Sequence, residues 1–177
     1  MIFKETDLSN VFVIELELVE DNRGFFARCF CEKEFEEHSI YFKTMQCNIS
    51  YNKQKGTLRG LHYQTAPYYE AKLVHCIKGS IYDVIVDLRE NSKTFKKWIS
   101  VELSEMNKKM IYIPERFAHG FLTLEDDTEV FYQMSEFYHQ EYARGVRWDD
   151  KSFNVKWPYM EKYIISNKDQ KWEEYKI

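Results

Sequence analysis

Proline and glycine are both scarce in this chain, at 3 and 6 residues of 177. Disordered and low-complexity proteins carry far more of both, so the scarcity argues for a packed fold. Cysteine is sparse too, and no pair has the C-x-x-C spacing. The four stand at 29, 31, 47 and 76. Such a pattern fits reduced thiols in a cytosolic protein better than a disulfide framework or a metal site. No apolar run approaches the ~18 residues that cross a bilayer. The stretch Met1 to Asp7 carries acids where a secretory signal would be apolar. The expectation is a soluble, cytoplasmic protein with no membrane partner. An excess of positive charge is also missing: the net charge is -4 and the pI about 5.8. That argues against nucleic acid as a partner but leaves room for a small anionic ligand held by a few local cations. There is no G-x-G-x-x-G run, and with it no fingerprint for a nicotinamide cofactor.

What the chain has instead is aromatic residues, 17% of the total, and short alternating segments. Strands are predicted at 11–19, 25–30, 44–50, 58–64, 72–78, 81–88, 98–103, 109–113, 118–124 and 128–135. Gly79-Ser80 marks a tight hairpin, and Asn107-Lys108 and Asp126-Asp127 mark further turns. Turn signals roughly ten residues apart predict an all-β sandwich or barrel in one domain, residues 1–177. Charges around Phe35, Ile40 and Phe42 predict a short surface helix over 33–42. Trp148 to Pro158 reads as a packed loop with aromatic anchors. A second short helix is predicted over 168–175, capped by Ser166 or Asn167.

The chemistry concentrates in Arg59-Gly60-Leu61-His62-Tyr63-Gln64. Strand alternation places Gly60, His62 and Gln64 on one face and Arg59, Leu61 and Tyr63 on the other. Gly60 would let a ligand or another chain approach closely. His62 is a candidate general base near neutral pH, and Arg59 a candidate phosphate holder. Lys72 shares a face with Val74 and Cys76, so it either enters the interior or snorkels from the strand mouth. Tyr132 shares an apolar face with Thr128, Val130 and Met134. His119 lies in Ile113-Pro114-Glu115-Arg116-Phe117-Ala118-His119-Gly120-Phe121, and Asp169 in Ser166-Asn167-Lys168-Asp169. From spacing alone Asp83 and Asp87 are also candidate partners for His62.

These segments resemble the dTDP-4-dehydrorhamnose 3,5-epimerase family over nearly the whole chain. The likeness runs through Asp21 to Phe26, Leu58 to Gln64, Ala71 to Val74, Tyr82 to Arg89, Ile113 to Phe121, Tyr132, Trp148 to Asp150 and Ser166 to Asp169. It implies a cupin-type double-stranded β-helix (jelly roll) with short peripheral helices. The substrate would be a nucleotide-linked 4-keto-6-deoxy sugar feeding surface-polysaccharide synthesis, with no cofactor and no metal. By position, the resemblance makes His62 the base, Asp169 its orienting carboxylate, Tyr132 the acid on the opposite sugar face and Lys72 the stabiliser of the enolate oxygen. Arg59 and His119 would hold pyrophosphate and sugar. Gln46 and Asn48 would line the pocket, and Tyr138 would stack on the nucleotide base. Arg23, Phe26 and Arg28 would reach a neighbouring subunit's site in a homodimer. Three positions depart from the family's usual pattern: Arg28 stands where an acid is common, Arg116 where a glycine is usual, and His75 where an arginine is common.

Three other activities compete. A metal-dependent cupin could draw on His62, Glu70 and His119, although Gln64 stands where metal cupins place a second imidazole. A single-centre epimerase would use the same residues at C3 or C5 alone. A non-catalytic sugar-nucleotide binder would have no use for a lysine, a tyrosine and an aspartate kept together.

Overall fold

The computed structural model describes residues 1–176. Its strands are β1 (Ile2–Glu5), β2 (Phe12–Glu15), β3 (Val19–Asp21), β4 (Gly24–Phe26), β5 (Gln46–Asn52), β6 (Thr57–Gln64), β7 (Lys72–Lys78), β8 (Ser80–Asp87), β9 (Trp98–Ser104), β10 (Met110–Ile113), β11 (Phe117–Thr123), β12 (Thr128–Met134), β13 (Ala143–Gly145) and β14 (Ile164–Ile165). Two short helices accompany them, α1 (Glu32–Glu37) and α2 (Asn167–Gln170). One sheet runs β1-β2-β10-β7-β12-β5 and the second β13-β6-β11-β8-β9, with β14 added in parallel beside β6. Strands β3 and β4 form a separate hairpin. The two sheets make the jelly roll that the resemblance implied. Among the described residues no helix is long and apolar enough to cross a membrane.

The alternation that marks the strands also builds the core. Val74 and Cys76 from β7 and Val130 from β12 face Ile81, Ile85, Leu103 and Phe121 of the second sheet, all buried. The inner-facing apolar set of each sheet therefore meets the other's, which is the main stabilising burial of a sandwich. Behind the first sheet, α1 buries Phe35 against Phe42, Leu73, Met110 and Tyr112. Behind the second, Leu61, Val84, Val86 and Ala118 are covered by Val146, Phe153 and Trp157. The predicted aromatic loop is this cover, pinned where Trp157 Nε1 donates to the Trp148 carbonyl at 2.8 Å.

Several element boundaries differ from prediction. The strand predicted over 11–19 breaks into β2 and β3, and that over 25–30 stops at Phe26. The helix over 33–42 ends at Glu37, because Ser39 turns into the left-handed region at φ 60°. That over 168–175 ends at Gln170. Strands β1, β13 and β14 were not predicted. The Gly79 turn is as predicted: its φ is 72°, and a Cβ there would lie 2.5 Å from Thr128 Oγ1.

The largest correction concerns β6. His119 pairs with His62 and Phe121 with Arg59, so two steps along β11 match three along β6. This bulge inserts one extra residue and inverts the alternation on one side of it. Arg59 and His62 therefore line the same cavity, against the simple period-two prediction. What approaches Gly60 is the neighbouring strand: a Cβ there would stand 2.5 Å from Gly120 Cα and 2.8 Å from the His119 carbonyl.

Candidate active site

A cavity of about 720 Å³ opens between the two sheets. It falls in the usual range for small-ligand sites. β6 contributes Arg59 and His62, β7 Lys72, β11 His119, β12 Tyr132 and Met134, and β5 Gln46 and Asn48. Tyr138 closes one side, and the segment carrying Ser166, Lys168, Asp169 and Trp172 closes another.

His62 Nε2 lies 2.6 Å from Asp169 Oδ1. Asp169 reaches this position because Ser166 caps α2, its Oγ accepting from the Asp169 amide at 3.0 Å. Burial would raise the Asp169 carboxyl. The hydrogen bond and charge of His62, with donors from Gly60 and Trp172, nonetheless hold it below the usual carboxylate range. An ionised carboxylate only accepts, so Nε2 carries the proton and a neutral His62 keeps its lone pair on Nδ1. The His62 side chain is 42% exposed and lines the cavity, and its one hydrogen bond among the described residues is made by Nε2.

His119 faces His62 across the β6–β11 pairing and has an aspartate of its own. Its Nε2 lies 2.7 Å from Asp83 Oδ1. Asp83 is fully buried; burial raises its carboxyl, and the charges of His119 and Lys72 offset this only partly. Asp83 is thus not the partner of His62, and neither is Asp87. Burial opposes ionisation of Asp87, but bonds from Arg89, Ser92 and Thr94 bring its carboxyl down to about 2.

Lys72 is interior, 8% exposed, and does not snorkel. Its Nζ lies 2.8 Å from Glu70 Oε1. Tyr132 and His62 stand on different sheets, on opposite sides of the cavity. Gln46 bridges to Asn48 at 3.1 Å and accepts from the Tyr138 amide at 3.2 Å. Arg59 is aimed by Asn52, whose Oδ1 accepts from its Nε at 2.7 Å. Arg59, Lys72, Arg144 and Lys168 line the cavity with only two carboxylates, Glu70 and Asp169. The surplus of cations suits a multiply charged anion.

Among the described residues no three His, Cys, Asp or Glu side chains are grouped to hold a metal ion. His62, Glu70 and His119 are each paired instead, with Asp169, Lys72 and Asp83. Gln64 spends its amide on the backbone, donating to the carbonyls of Tyr68 and Phe137 at 3.0 and 3.1 Å and accepting from the His139 amide at 2.6 Å.

Three of the sequence candidates do not reach the cavity of their own chain. Arg23 pairs with Asp21, and Arg28 with Glu34 at 2.7 Å. Phe26 is 74% exposed on the β3–β4 hairpin. Sequence reasoning missed Arg144, Lys168 and Trp172. Trp172 donates to Asp169 Oδ1 at 3.3 Å and packs on Gly145, where any Cβ would collide with its indole. The glycine of Arg144-Gly145-Val146 was the available signal.

The family model described as dTDP-4-dehydrorhamnose 3,5-epimerase matches residues 5–176. The chain belongs to that family. It is 43% identical to the dTDP-4-dehydrorhamnose 3,5-epimerase of Shigella flexneri, over 93% of this chain and 91% of that one. The crystal structure of the Bacillus anthracis dTDP-4-dehydrorhamnose 3,5-epimerase with TDP and PPi bound superposes with a TM-score of 0.93 at 39% identity, covering 97% of both chains. A dTDP-6-deoxy-D-glucose-3,5-epimerase from Legionella pneumophila, in complex with dTDP-4-keto-L-rhamnose, gives a TM-score of 0.89 at 38% identity, over 94% of this chain and 88% of that one. Arg116, read from the sequence as standing in a glycine's place, has a backbone to match. Arg116 adopts φ 67°, a conformation that favours glycine, and its guanidinium stacks over Tyr69 at 4.5 Å.

Proposed function

We infer that this protein epimerises a dTDP-4-keto-6-deoxy-hexose at C3 and C5. The observation that carries the inference is the placement of His62, paired with Asp169 of α2, on one sheet and of Tyr132 and Lys72 on the other, all lining one cavity. A C–H bond next to a ketone loses its proton only if the enolate oxygen is stabilised. The Lys72 ammonium, buried away from water, supplies that charge. His62 removes the proton through Nδ1, and Asp169 holds the imidazole and balances the imidazolium. Tyr132, across the ring, returns a proton to the other face, which inverts the centre. A positioned acid or base of this kind contributes about 10²–10⁴-fold. Electrons neither enter nor leave the substrate, so the steps require no redox cofactor. Arg59, His119 and the cationic wall hold the diphosphate and sugar, while Gln46, Asn48 and Tyr138 take the nucleoside end.

The active form in this account is a homodimer. Val19, Phe25 and Phe26 project from the β3–β4 hairpin, and Ile49 and Tyr51 from edge strand β5, all more than half exposed. Large apolar side chains left exposed on a hairpin and on a sheet edge favour burial against a second copy. Arg23 and Phe26 would then complete the partner's site. Sedimentation should give a dimer that Phe26→Asp dissociates.

The direct test is solvent isotope uptake. In D₂O with dTDP-4-keto-6-deoxyglucose, NMR should find deuterium entering at both C3 and C5. Label at one carbon would reduce the activity to a single-centre epimerase, and label at neither would refute the reading.

A further inference from the structure

One acid in the cavity has no part in the steps above. Glu70 Oε1 lies 2.8 Å from Lys72 Nζ, and the two side chains are 6% and 10% exposed. Glu70 Oε2 is buried with no hydrogen-bond partner among the described residues. A carboxylate oxygen without a protein partner at the cavity wall costs stability, so packing alone does not account for Glu70.

The backbone around Glu70 is fixed from both sides. Gln64 Nε2 donates to the Tyr68 carbonyl at 3.0 Å. The Ala71 amide donates to Ser135 Oγ at 2.7 Å, and the Ser135 amide to the Ala71 carbonyl at 3.0 Å. Lys72, by contrast, reaches the cavity on a flexible four-carbon stem. A second buried carboxylate competes for its charge: Asp83 is close enough to feel it, and Asp83 Oδ2 also has no partner. The contact is made with Glu70, and that choice sets the direction of the ammonium.

We propose that Glu70 is the positioning residue of Lys72, holding the ammonium where the enolate oxygen forms and away from Asp83. This rests on Lys72 being the enolate stabiliser. Glu70 does not touch the reacting atoms; it acts through a hydrogen bond that an amide oxygen can also accept. Substituting leucine should remove the function, and substituting glutamine should restore it.

The test compares wild type, Glu70→Leu and Glu70→Gln by deuterium uptake and steady-state kinetics, with dTDP binding and Tm as controls for folding. Glu70→Leu should lose about 10²-fold in kcat, the scale of a misplaced catalytic group, with KM and dTDP affinity within about threefold of wild type. Glu70→Gln should recover most of the lost kcat. A Glu70→Leu protein with wild-type kcat overturns the proposal, and so does a Glu70→Gln protein no better than Glu70→Leu. Should Glu70→Leu not fold, Glu70→Ala carries the same comparison. A wild type that labels neither carbon indicts the epimerase reading itself, which separates the two failures.

Discussion

Two histidine–aspartate pairs lie side by side in this cavity, on strand residues that face each other across β6 and β11. Their bond lengths are nearly equal, 2.6 Å for His62–Asp169 and 2.7 Å for His119–Asp83. Their surroundings are opposite. Asp169 is supported by three donors, from His62, Gly60 and Trp172, and is held low, whereas Asp83 is sealed in the core and pushed up. The imidazole of His62 is 42% exposed and that of His119 is 10% exposed. On the proposed mechanism, the same two residue types give an open, oriented base in one case and a fixed donor for a ligand in the other. Environment rather than identity divides the labour between such pairs.

The comparison breaks most sharply at the base. His62→Ala and Tyr132→Phe should each cut kcat by about 10²–10⁴-fold with Tm unchanged, measured by isotope uptake and thermal melting. The same cut made at His119 should fall mainly on KM, because His119 binds and does not exchange the proton. Asp169→Asn comes next. The amide still accepts from Nε2 but carries no charge for the imidazolium, so kcat should fall by about 10–10²-fold while dTDP binding holds. Asp83→Asn should cost less than Asp169→Asn in kcat, since its carboxyl is already disfavoured as an anion.

Asp87, on β8 like Asp83, tests whether a carboxylate outside the cavity affects stability alone. Its depression from 3.8 to about 2 corresponds to about 2 kcal/mol. The folded value lies below the unfolded one, so this contribution is complete above about pH 4 and is lost as pH falls through about 2. Asp87→Asn should lower Tm by about 4–8 °C at pH 7 and flatten the acid limb of stability, with kcat unchanged. The smallest effect belongs to Arg116→Gly. Relief of the left-handed backbone, about 1–2 kcal/mol, is offset by loss of the stack on Tyr69, about 0.5–1 kcal/mol. Tm should rise by no more than a few degrees.

Much of this arrangement was legible in the sequence, and the exceptions have physical causes. Lys72 to Cys76 of β7 and Val130 to Met134 of β12 pair without a shift, so the faces of Lys72 and Tyr132 could be read from their neighbours, although whether Lys72 entered the interior or snorkelled could not. β6 could not be read that way, because its bulge is imposed by pairing with β11 and leaves no period-two trace. Asp169 lies 107 residues from His62, and no local pattern joins them; only the family resemblance singled it out over Asp83 and Asp87. Glu70 drew attention solely as a metal ligand, since an ion pair with a lysine two residues away is invisible until both side chains are seen to be buried. Trp172 was hidden inside a helix predicted to run on to residue 175, where the chain instead leaves α2 so that the indole can meet Asp169.

The central claim is that His62, and not His119, moves the proton. It is tested most directly by deuterium uptake at C3 and C5 in His62→Ala and His119→Ala, each at saturating dTDP-4-keto-6-deoxyglucose. The account predicts no label from His62→Ala, although it still binds dTDP, and label at both carbons from His119→Ala. Label at the wild-type rate from His62→Ala, or its complete loss in a His119→Ala protein that still binds substrate, would contradict it.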